Sequence, residues 1–151
     1  MKIRNKLRIG VIGGASPEEK WLRVAFEVGT LIAKNNGILV CGGLGGVMEA
    51  AAKGAKQAGG ETLGILPGLS PQEANPYIDT AIATGLGYTR NSLVAMNANS
   101  LIAVNGQYGT LSEIAYGIIY GKKVIGIGTW TIKGVQMVSS AEEAVKLALL
   151  P

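Results

Sequence analysis

The sequence predicts an α/β fold with three layers, in which a mostly parallel sheet of six to seven strands lies between helices. Three observations predict it. Short apolar segments alternate with longer segments of helical period, as in folds built from strand–helix–strand units. The apolar segments are continuous rather than alternating, which indicates a sheet covered on both faces. Glycines, 23 of 151 residues, cluster where a predicted strand passes into a predicted helix.

The first half of the chain contains three predicted strands and two predicted helices. Ser16 followed by Pro17 predicts a helix start, with serine as the N-cap and proline at the first helical position. Asn36 and Gly37 predict that this helix ends at about residue 35. The strands are predicted at 7–12, 38–40 and 62–66, and the second helix at about 46–58.

The first predicted helix carries more apolar residues than a one-sided surface helix needs. One stripe includes Leu22, Phe26 and Ile32, and a second stripe beside it includes Trp21 and Leu31. A single stripe is enough to pack a helix on a sheet. The second stripe therefore packs either on a partner chain or on a widened core of the same chain.

The second half begins with a loop rich in proline, glycine and serine at 67–76, a length typical of a functional rim or lid. A helix at 140–149 starts with Ser-Ala-Glu-Glu, a strong N-terminal signal. The other elements are predicted as strands at 79–83, 101–104, 124–127 and 134–138, and as helices at 89–97 and from the glycines after 105 to about 121.

Composition predicts one ligand-binding domain, residues 1–151, that assembles into a homodimer or homotetramer. Charged residues make up 16% of the chain and apolar residues 48%, whereas charged residues make up about 25% of a typical soluble domain. This composition leaves little polar material to cover the surface of a monomer. We therefore expect an apolar interface between copies of the chain.

Charge and rare residues exclude several functional classes. The net charge is +4, and four basic residues come early, at Lys2, Arg4, Lys6 and Arg8. They form either an attractive patch for nucleic acid or a solvated arm. No nucleic-acid-binding motif accompanies them, so we expect no nucleic-acid partner. The absence of histidine and the single cysteine exclude a disulfide framework and the usual zinc sites, and no metal is expected.

No segment approaches the roughly 18 consecutive apolar residues of a membrane span. The apolar run after the basic N-terminus is short and interrupted by glycine, unlike a signal peptide. We therefore expect no membrane association and a cytoplasmic location.

Two glycine-rich segments carry the functional signal. Residues 41–49, CGGLGGVME, form what we call the first glycine turn, and residues 105–113, NGQYGTLSE, form the second. Each follows a predicted strand and opens a predicted helix. Such a junction leaves backbone N–H groups unpaired at the positive end of a helix dipole, where an anion binds well. The two turns predict a site for a phosphate-bearing ligand.

Better-known motifs compete with this interpretation. A dinucleotide site needs G-x-G-x-x-G after the first strand, where the chain has only Gly13 and Gly14, and no Walker A sequence is present. Thr110 and Glu113 also match a capping box, in which both side chains bind backbone N–H groups. Arg90 at a helix start is either an anion clamp or an ordinary surface residue.

In combination, these motifs resemble those of the Lonely Guy family over roughly residues 7–130. The first glycine turn resembles its G-G-G-x-x-G-L-M segment, residues 64–67 its G-x-x-P, and Arg90 the first residue of its Arg-Lys pair. The second turn resembles its P-G-G-x-G-T-x-x-E segment. The resemblance implies a Rossmann-like dimer that binds a nucleoside 5′-monophosphate and hydrolyses the bond between base and ribose 5-phosphate, with Arg90 and Glu113 as catalytic residues.

The differences from the family's pattern favour binding over hydrolysis. Asn105 and Gln107 replace a proline and a glycine, Asn91 replaces the lysine, and Gly87 replaces a methionine. The chain is more similar to a neighbouring branch, the molybdenum cofactor carrier proteins, which implies the molybdenum cofactor (molybdopterin) as a bound cargo. A lysine decarboxylase, a label often given to the superfamily, is not supported, because no histidine is available to stack on a pyridoxal ring.

The sequence therefore predicts a protein that binds a phosphorylated nucleotide-like or pterin-like molecule, with a phosphoribohydrolase as the alternative. A third possibility is that the glycines serve packing alone. The predicted ligand-binding residues are Gly13, Gly14, Ser16, Gly42, Gly43, Gly45, Gly46, Met48, Arg90, Asn91, Gly106, Gln107, Gly109 and Thr110.

Overall fold

A computed structural model describes residues 5–151 as one seven-stranded sheet whose strands are all parallel, in the order β4-β3-β2-β1-β5-β6-β7. The prediction of an α/β fold with six to seven strands is confirmed. The strands are β1 (Arg8–Gly13), β2 (Ile38–Cys41), β3 (Glu61–Leu66), β4 (Thr80–Ala83), β5 (Ser100–Val104), β6 (Lys123–Ile127) and β7 (Val135–Met137).

Helices cover both faces of this sheet, which gives the three predicted layers. α1 (Glu19–Lys34), α2 (Val47–Gln57) and α5 (Ala141–Leu149) pack on one face, and α3 (Asn91–Asn97) and α4 (Tyr108–Ile119) pack on the other. Each face has its own apolar core, because successive strand residues point to opposite sides. In β1, for example, Val11 joins the core under α1 and Ile12 the core under α3.

The start of α1 differs from the prediction. The helix begins at Glu19 after Glu18, whose backbone is extended at φ −60° and ψ 155°, and no side chain caps it. Ser16 and Pro17 instead belong to the turn that follows β1, so the predicted serine N-cap is wrong. The predicted end is confirmed: Asn36 takes φ 59°, and the N–H of Gly37 donates to the carbonyl oxygen of Ile32 at 2.9 Å.

The second apolar stripe of α1 packs within the chain. Trp21, Val24 and Leu31 are half-buried against the core shared by α1, α2 and α5, and Val28 is fully buried in it. The Trp21 ring also lies against Gly128, where a methyl group would collide with it. The stripe therefore widens the core of the same chain.

Two of the early basic residues have partners on the surface. Lys6 forms an ion pair with Glu61, and the Nε of Arg8 donates to the carbonyl oxygen of Asn97 at 2.6 Å. Lys2 and Arg4, the other members of the predicted basic arm, lie outside the described residues. Within residues 5–151, no helix is both long enough and apolar enough to cross a membrane.

The sheet positions the candidate site through its strand order. β1 lies between β2 and β5, so the chain proceeds to one side of β1 and later returns to the other. In parallel sheets, ligands bind beyond the carboxyl ends of the strands at such a reversal. The turns after β1, β2 and β5 all lie at this edge. They contain most of the glycines predicted to bind a ligand.

Candidate functional site

Three turns contact one another at the carboxyl edge of the sheet. The turn after β1, residues 13–16, lies between the two glycine turns. On one side, the N–H of Val47 donates to the carbonyl oxygen of Gly14 at 3.0 Å. On the other, a methyl group at Gly14 would lie 3.7 Å from the Cα of Gly106. The structure therefore brings the separate glycine motifs into one continuous backbone surface.

Gly46 shows why this surface requires glycine. Its backbone takes φ 66° and ψ −130°, a region open almost only to glycine. A methyl group at Gly46 would also collide with the backbone carbonyls of Gly14 and Ala15. The close approach of the first glycine turn to the turn after β1 therefore depends on this residue.

The carbonyl oxygens of the first glycine turn have partners within the protein, whereas none of the described residues accepts a hydrogen bond from the N–H groups of residues 44–46. The Gly42 carbonyl oxygen accepts a hydrogen bond from Arg90 at 3.3 Å, and the Gly43 N–H donates to the Cys41 sulfur at 3.4 Å. The carbonyl oxygens of Gly43 and Leu44 accept from the backbone and side-chain nitrogens of Asn75, at 2.9 and 2.8 Å. This turn is therefore held from several directions.

The second glycine turn has a longer run of unpaired N–H groups than the first. α4 begins at Tyr108, and Leu111 is the first of its residues whose N–H is paired, with the carbonyl oxygen of Gln107 at 3.0 Å. Among the described residues, none accepts a hydrogen bond from the backbone N–H groups of residues 106–110. Gln107 and Tyr108 are exposed, so solvent and solutes reach this end of the helix. Unpaired N–H groups and the helix dipole together favour an anion here.

The capping-box interpretation of Thr110 and Glu113 is wrong. The residue before α4 is Gln107, and no side chain caps the helix. Thr110 is the third residue of α4 and Glu113 the sixth, so neither stands at a capping position. Both side chains point inward: Thr110 is 3% exposed and lies against Gly106, and Glu113 is 7% exposed.

Arg90 is buried beneath the edge of the sheet and is not an ordinary surface residue. Its Nε donates to the carbonyl oxygen of Ile65 at 2.8 Å, and its two terminal nitrogens donate to the Gly42 carbonyl oxygen and to the Asn91 side chain. A guanidinium has five N–H groups, so these bonds leave two of them. Burial lowers the pKa of Arg90 and the nearby Glu113 raises it, but an arginine stays protonated at neutral pH.

Asn91 links α3 to the start of α4. Its side-chain oxygen accepts from Arg90, and its nitrogen donates to Ser112 Oγ at 3.0 Å and to the Gly109 carbonyl oxygen at 3.3 Å. The polar atoms of Asn91 are therefore used within the protein. Its position fits a residue that orients Arg90 and the second glycine turn better than one that contacts a ligand.

Glu113 is an acid in an apolar setting. Burial raises its pKa to about 8, and the charge of Arg90 offsets only part of that rise. The carboxyl group is therefore mostly protonated at neutral pH. Asn91 connects the two groups, because its side chain bonds to Arg90 and to Ser112, the residue before Glu113.

The other predicted site residues fall into different environments. Met48 is packed in the core beside Gly42, and burial raises the pKa of the neighbouring Cys41 thiol to about 12, so that thiol is unreactive. Ser16 is exposed at the turn after β1. Gly45 has open space around it, with the Ala15 carbonyl oxygen 4.0 Å from where a methyl group would be.

Sequence reasoning missed two aromatic residues beside the second glycine turn. The Trp130 indole N–H donates to the Gln107 carbonyl oxygen at 3.0 Å, and its ring lies 5.7 Å from that of Tyr108. Trp130 follows β6, which ends at the same sheet edge. The sequence could have indicated Trp130, because it lies just after a predicted strand. Asn75, which holds the first glycine turn, lies in the loop predicted to be a rim or lid.

Comparison with known proteins gives a consistent family. The sequence profile of the SLOG cluster4 family matches residues 6–149. The structure of the molybdenum cofactor binding protein from Rippkaea orientalis superposes with a TM-score of 0.90 at 35% identity, covering 96% of each chain. The molybdenum cofactor carrier protein of Chlamydomonas reinhardtii superposes with a TM-score of 0.84 at 35% identity, covering 95% of this chain and 96% of that one.

A second group of relatives carries the name of an enzyme. The cytokinin riboside 5′-monophosphate phosphoribohydrolase of Mycobacterium tuberculosis is 33% identical over 111 residues, which are 70% of this chain and 59% of the relative. Together with the structural neighbours, it confirms the resemblance to the Lonely Guy superfamily and to its carrier-protein branch. The chain is thus similar both to a hydrolase and to cofactor-binding proteins.

Proposed function

The chain belongs to the SLOG cluster4 family, and on that premise we propose that it binds a phosphate-bearing, nucleotide-like or pterin-like ligand at the carboxyl edge of the sheet. The phosphate lies at the start of α4. The observation that carries this proposal is the run of backbone N–H groups at residues 106–110, which have no partner among the described residues. The turn after β1 forms the facing wall.

The remaining site residues support this arrangement. Gly14 leaves the facing wall without a side chain, and Gly13 lets this wall pack against Val104 and Val47. Arg90 adds a buried positive charge beside the first glycine turn. Thr110, Gly109 and Gln107 border the phosphate. A phosphate at a helix N-terminus gains charge-assisted hydrogen bonds from several N–H groups at once. The names of the structural neighbours favour the molybdenum cofactor, a phosphorylated pterin, as one such cargo.

A phosphoribohydrolase is the second candidate, because Glu113 and Arg90 lie close together at this edge and one relative carries that name. Cleavage of an N-glycosidic bond builds positive charge on the sugar, which a carboxylate stabilises. Glu113, with a pKa of about 8, is mostly neutral at pH 7. A hydrolase that uses its carboxylate should therefore become faster as the pH rises through about 8.

One experiment separates the two candidates. AMP, GMP and pyrophosphate are titrated into the protein by calorimetry, and the nucleotide mixtures are analysed for free base by chromatography at pH 7 and pH 9. We expect binding without release of base. Release of adenine or guanine that disappears in Glu113→Gln would establish the hydrolase instead. The absence of binding by either nucleotide and by pyrophosphate would contradict both candidates and leave the glycines as packing devices.

We also propose that the chain forms a homodimer or homotetramer in the cytoplasm through the α3–α4 layer. The chain as a whole has few charged residues. The α3–α4 layer presents the exposed side chains of Met96 and Ile119, and Tyr88 is exposed in the turn before α3. Tyr88 is 84% exposed and Ile119 is 72% exposed. A second copy would cover these apolar groups. Sedimentation should show a dimer or larger species at micromolar concentration and dissociation in Ile119→Glu. A monomeric wild type would contradict this.

A further inference from the structure

A cleft of about 600 Å³ opens between the first halves of α1 and α2, on the sheet face opposite Arg90 and Glu113. We call it the α1–α2 cleft. Its volume lies within the range of about 300 to 1,000 Å³ that is usual for small-molecule sites. Ser16, Gly46 and Tyr77 are among the residues that line it. The cleft was not predicted from the sequence.

The crossing of the two helices creates this space. α1 and α2 approach most closely where Gly29 meets the backbone of Ala51 and where Gly54 meets the backbone of Phe26. A methyl group at either glycine would collide with a carbonyl oxygen. Packed helices cross at an angle and diverge on either side of the crossing point. The cleft occupies the divergence on the side of the helix N-termini.

The lining combines apolar walls with three charged side chains. Leu22, Phe26, Ala50 and Tyr77 supply apolar surface. The charged groups are Arg23, Lys53 and Glu49, and the ion pairs of residues 5–151 include none of them. The Lys53 Nζ lies 6.0 Å from the centre of the Tyr77 ring. Apolar walls with a few unpaired polar groups are typical of sites that orient a ring-shaped ligand.

The cleft is continuous with the surface formed by the three turns. From Gly106, the contacts run to Gly14 and then to Gly46, which also lines the cleft. Along α2, Gly46, Glu49, Ala50 and Lys53 are spaced as one face of a helix, and seven residues of helix span roughly 10 Å. Along this line of contacts, only Gly14 and Gly46 stand between the start of α4 and the cleft, and neither has a side chain.

The charged groups suggest which ring fits. Guanine and pterin share a 2-amino-4-oxo pyrimidine edge, which presents two adjacent N–H donors beside a carbonyl oxygen. A carboxylate accepts from two such donors, and an ammonium donates to the carbonyl oxygen. Glu49 and Lys53 stand one helical turn apart on the same wall. Adenine lacks this arrangement of donors and acceptor.

We propose that the α1–α2 cleft binds the ring system of the ligand and selects a 2-amino-4-oxo pyrimidine edge through Glu49 and Lys53. This proposal rests on the proposed function, since it places the ring of the molecule whose phosphate lies at the start of α4. Phe26 and Tyr77 cover the faces of the ring. The site thus selects guanine-like and pterin-like rings over adenine.

The test compares GMP, AMP and ribose 5-phosphate by calorimetry on the full chain. The wild type should bind GMP at least tenfold more tightly than AMP or ribose 5-phosphate. Glu49→Gln should weaken GMP about tenfold and leave ribose 5-phosphate unchanged. Glu142→Gln, an acidic residue in the first turn of α5 and outside the cleft, is the matched control and should bind all three as the wild type does.

The outcomes separate this inference from the function on which it rests. Equal affinities for GMP and ribose 5-phosphate, or an undiminished affinity for GMP in Glu49→Gln, would overturn the cleft proposal while the phosphate site stands. A wild type that binds none of the three compounds would overturn the proposed function and this inference together. Melting curves for each variant identify a loss of binding caused by unfolding.

Discussion

The two glycine turns look alike in sequence, but the structure uses them differently. In the first turn, Gly42, Gly43 and Leu44 are tied to Arg90, Cys41 and Asn75. In the second, the carbonyl oxygens of Gln107 and Gly109 are tied to Trp130 and Asn91, and the N–H groups of residues 106–110 have no partner among the described residues. The corresponding run of unpaired N–H groups in the first turn is shorter, residues 44–46. Both turns are thus held through their carbonyl oxygens, and they differ in the length of the run of unpaired donors and in how closely the backbone packs on the turn after β1.

This contrast assigns different roles to the turns. The first turn is a structural wall, and changes in it should appear mainly as lost stability. The second turn faces solvent, and changes in it should appear mainly as lost affinity for a phosphate-bearing ligand. Substitutions in and around the two turns test that division, from the largest expected effect on stability to the smallest.

Gly46→Ala should have the largest effect. Alanine at φ 66° and ψ −130° is strained, and its methyl group would collide with the carbonyls of Gly14 and Ala15. We expect a loss of more than about 3 kcal/mol in the free energy of unfolding, measured by urea denaturation. Gly45→Ala is the matched control. It has room for the methyl group and should stay within about 1 kcal/mol of the wild type. Similar stabilities for the two variants would contradict the structural role of the first turn.

Arg90→Lys should destabilise the protein next most strongly. Lysine keeps the charge but cannot reproduce the bonds to Ile65, Gly42 and Asn91. We expect a loss of about 2 to 4 kcal/mol, because buried acceptors lose their donors. Urea denaturation measures it. A variant as stable as the wild type that nevertheless loses GMP binding would show that Arg90 serves the ligand and not the first turn.

Glu113→Gln should change how stability depends on pH. Glu113 has a pKa near 4.5 when unfolded and about 8 when folded. The folded protein therefore binds the extra proton between these values, and wild-type stability should fall as the pH rises from about 4.5 to about 8. Glutamine does not titrate, so the stability of the variant should increase relative to that of the wild type as the pH rises from about 4.5 to about 8. Parallel slopes for the two proteins, measured by denaturation at several pH values, would mean that Glu113 is not buried as described.

Much of the fold was predictable because its strands are buried on both faces and therefore appear as unbroken apolar segments. Local helix signals were less dependable. Ser140 caps α5 as predicted, its Oγ accepting from the Glu143 N–H at 3.2 Å. Ser16 has a similar local pattern but does not cap α1, because the backbone is still extended at Glu18 and α1 begins only at Glu19. The turn before Ser16 instead contacts the start of α2 through Gly14 and Ala15. Those contacts join residues that are distant in sequence.

The candidate site was predicted only in part, because the sequence identifies its residues but not the contacts between distant segments. The glycines, Arg90 and Glu113 were identified as residues and do lie at one edge of the sheet. Their environments were not predictable: Thr110 and Glu113 form a capping-box pattern in sequence, yet both are buried in α4. The partners of Asn91 and the α1–α2 cleft arise from how helices pack, which residue spacing does not show.

The central claim is that the open N–H groups of the second turn bind a phosphate, and Tyr108 offers the most direct test. Tyr108 is the first residue of α4, where proline is favoured, and it follows Gln107, whose φ of −109° and ψ of −147° lie outside the α region that a following proline disfavours. Tyr108→Pro and Tyr108→Ala both remove the ring, but only proline removes the N–H. Their stabilities should agree within about 1 kcal/mol.

The decisive measurement is the Kd of pyrophosphate for these two variants at constant ionic strength. If the N–H of residue 108 donates to the phosphate, the proline variant should bind about tenfold or more weakly than the alanine variant, as expected for one lost hydrogen bond to a charged group. Equal Kd values in two folded variants would contradict the account and leave both glycine turns as elements of packing.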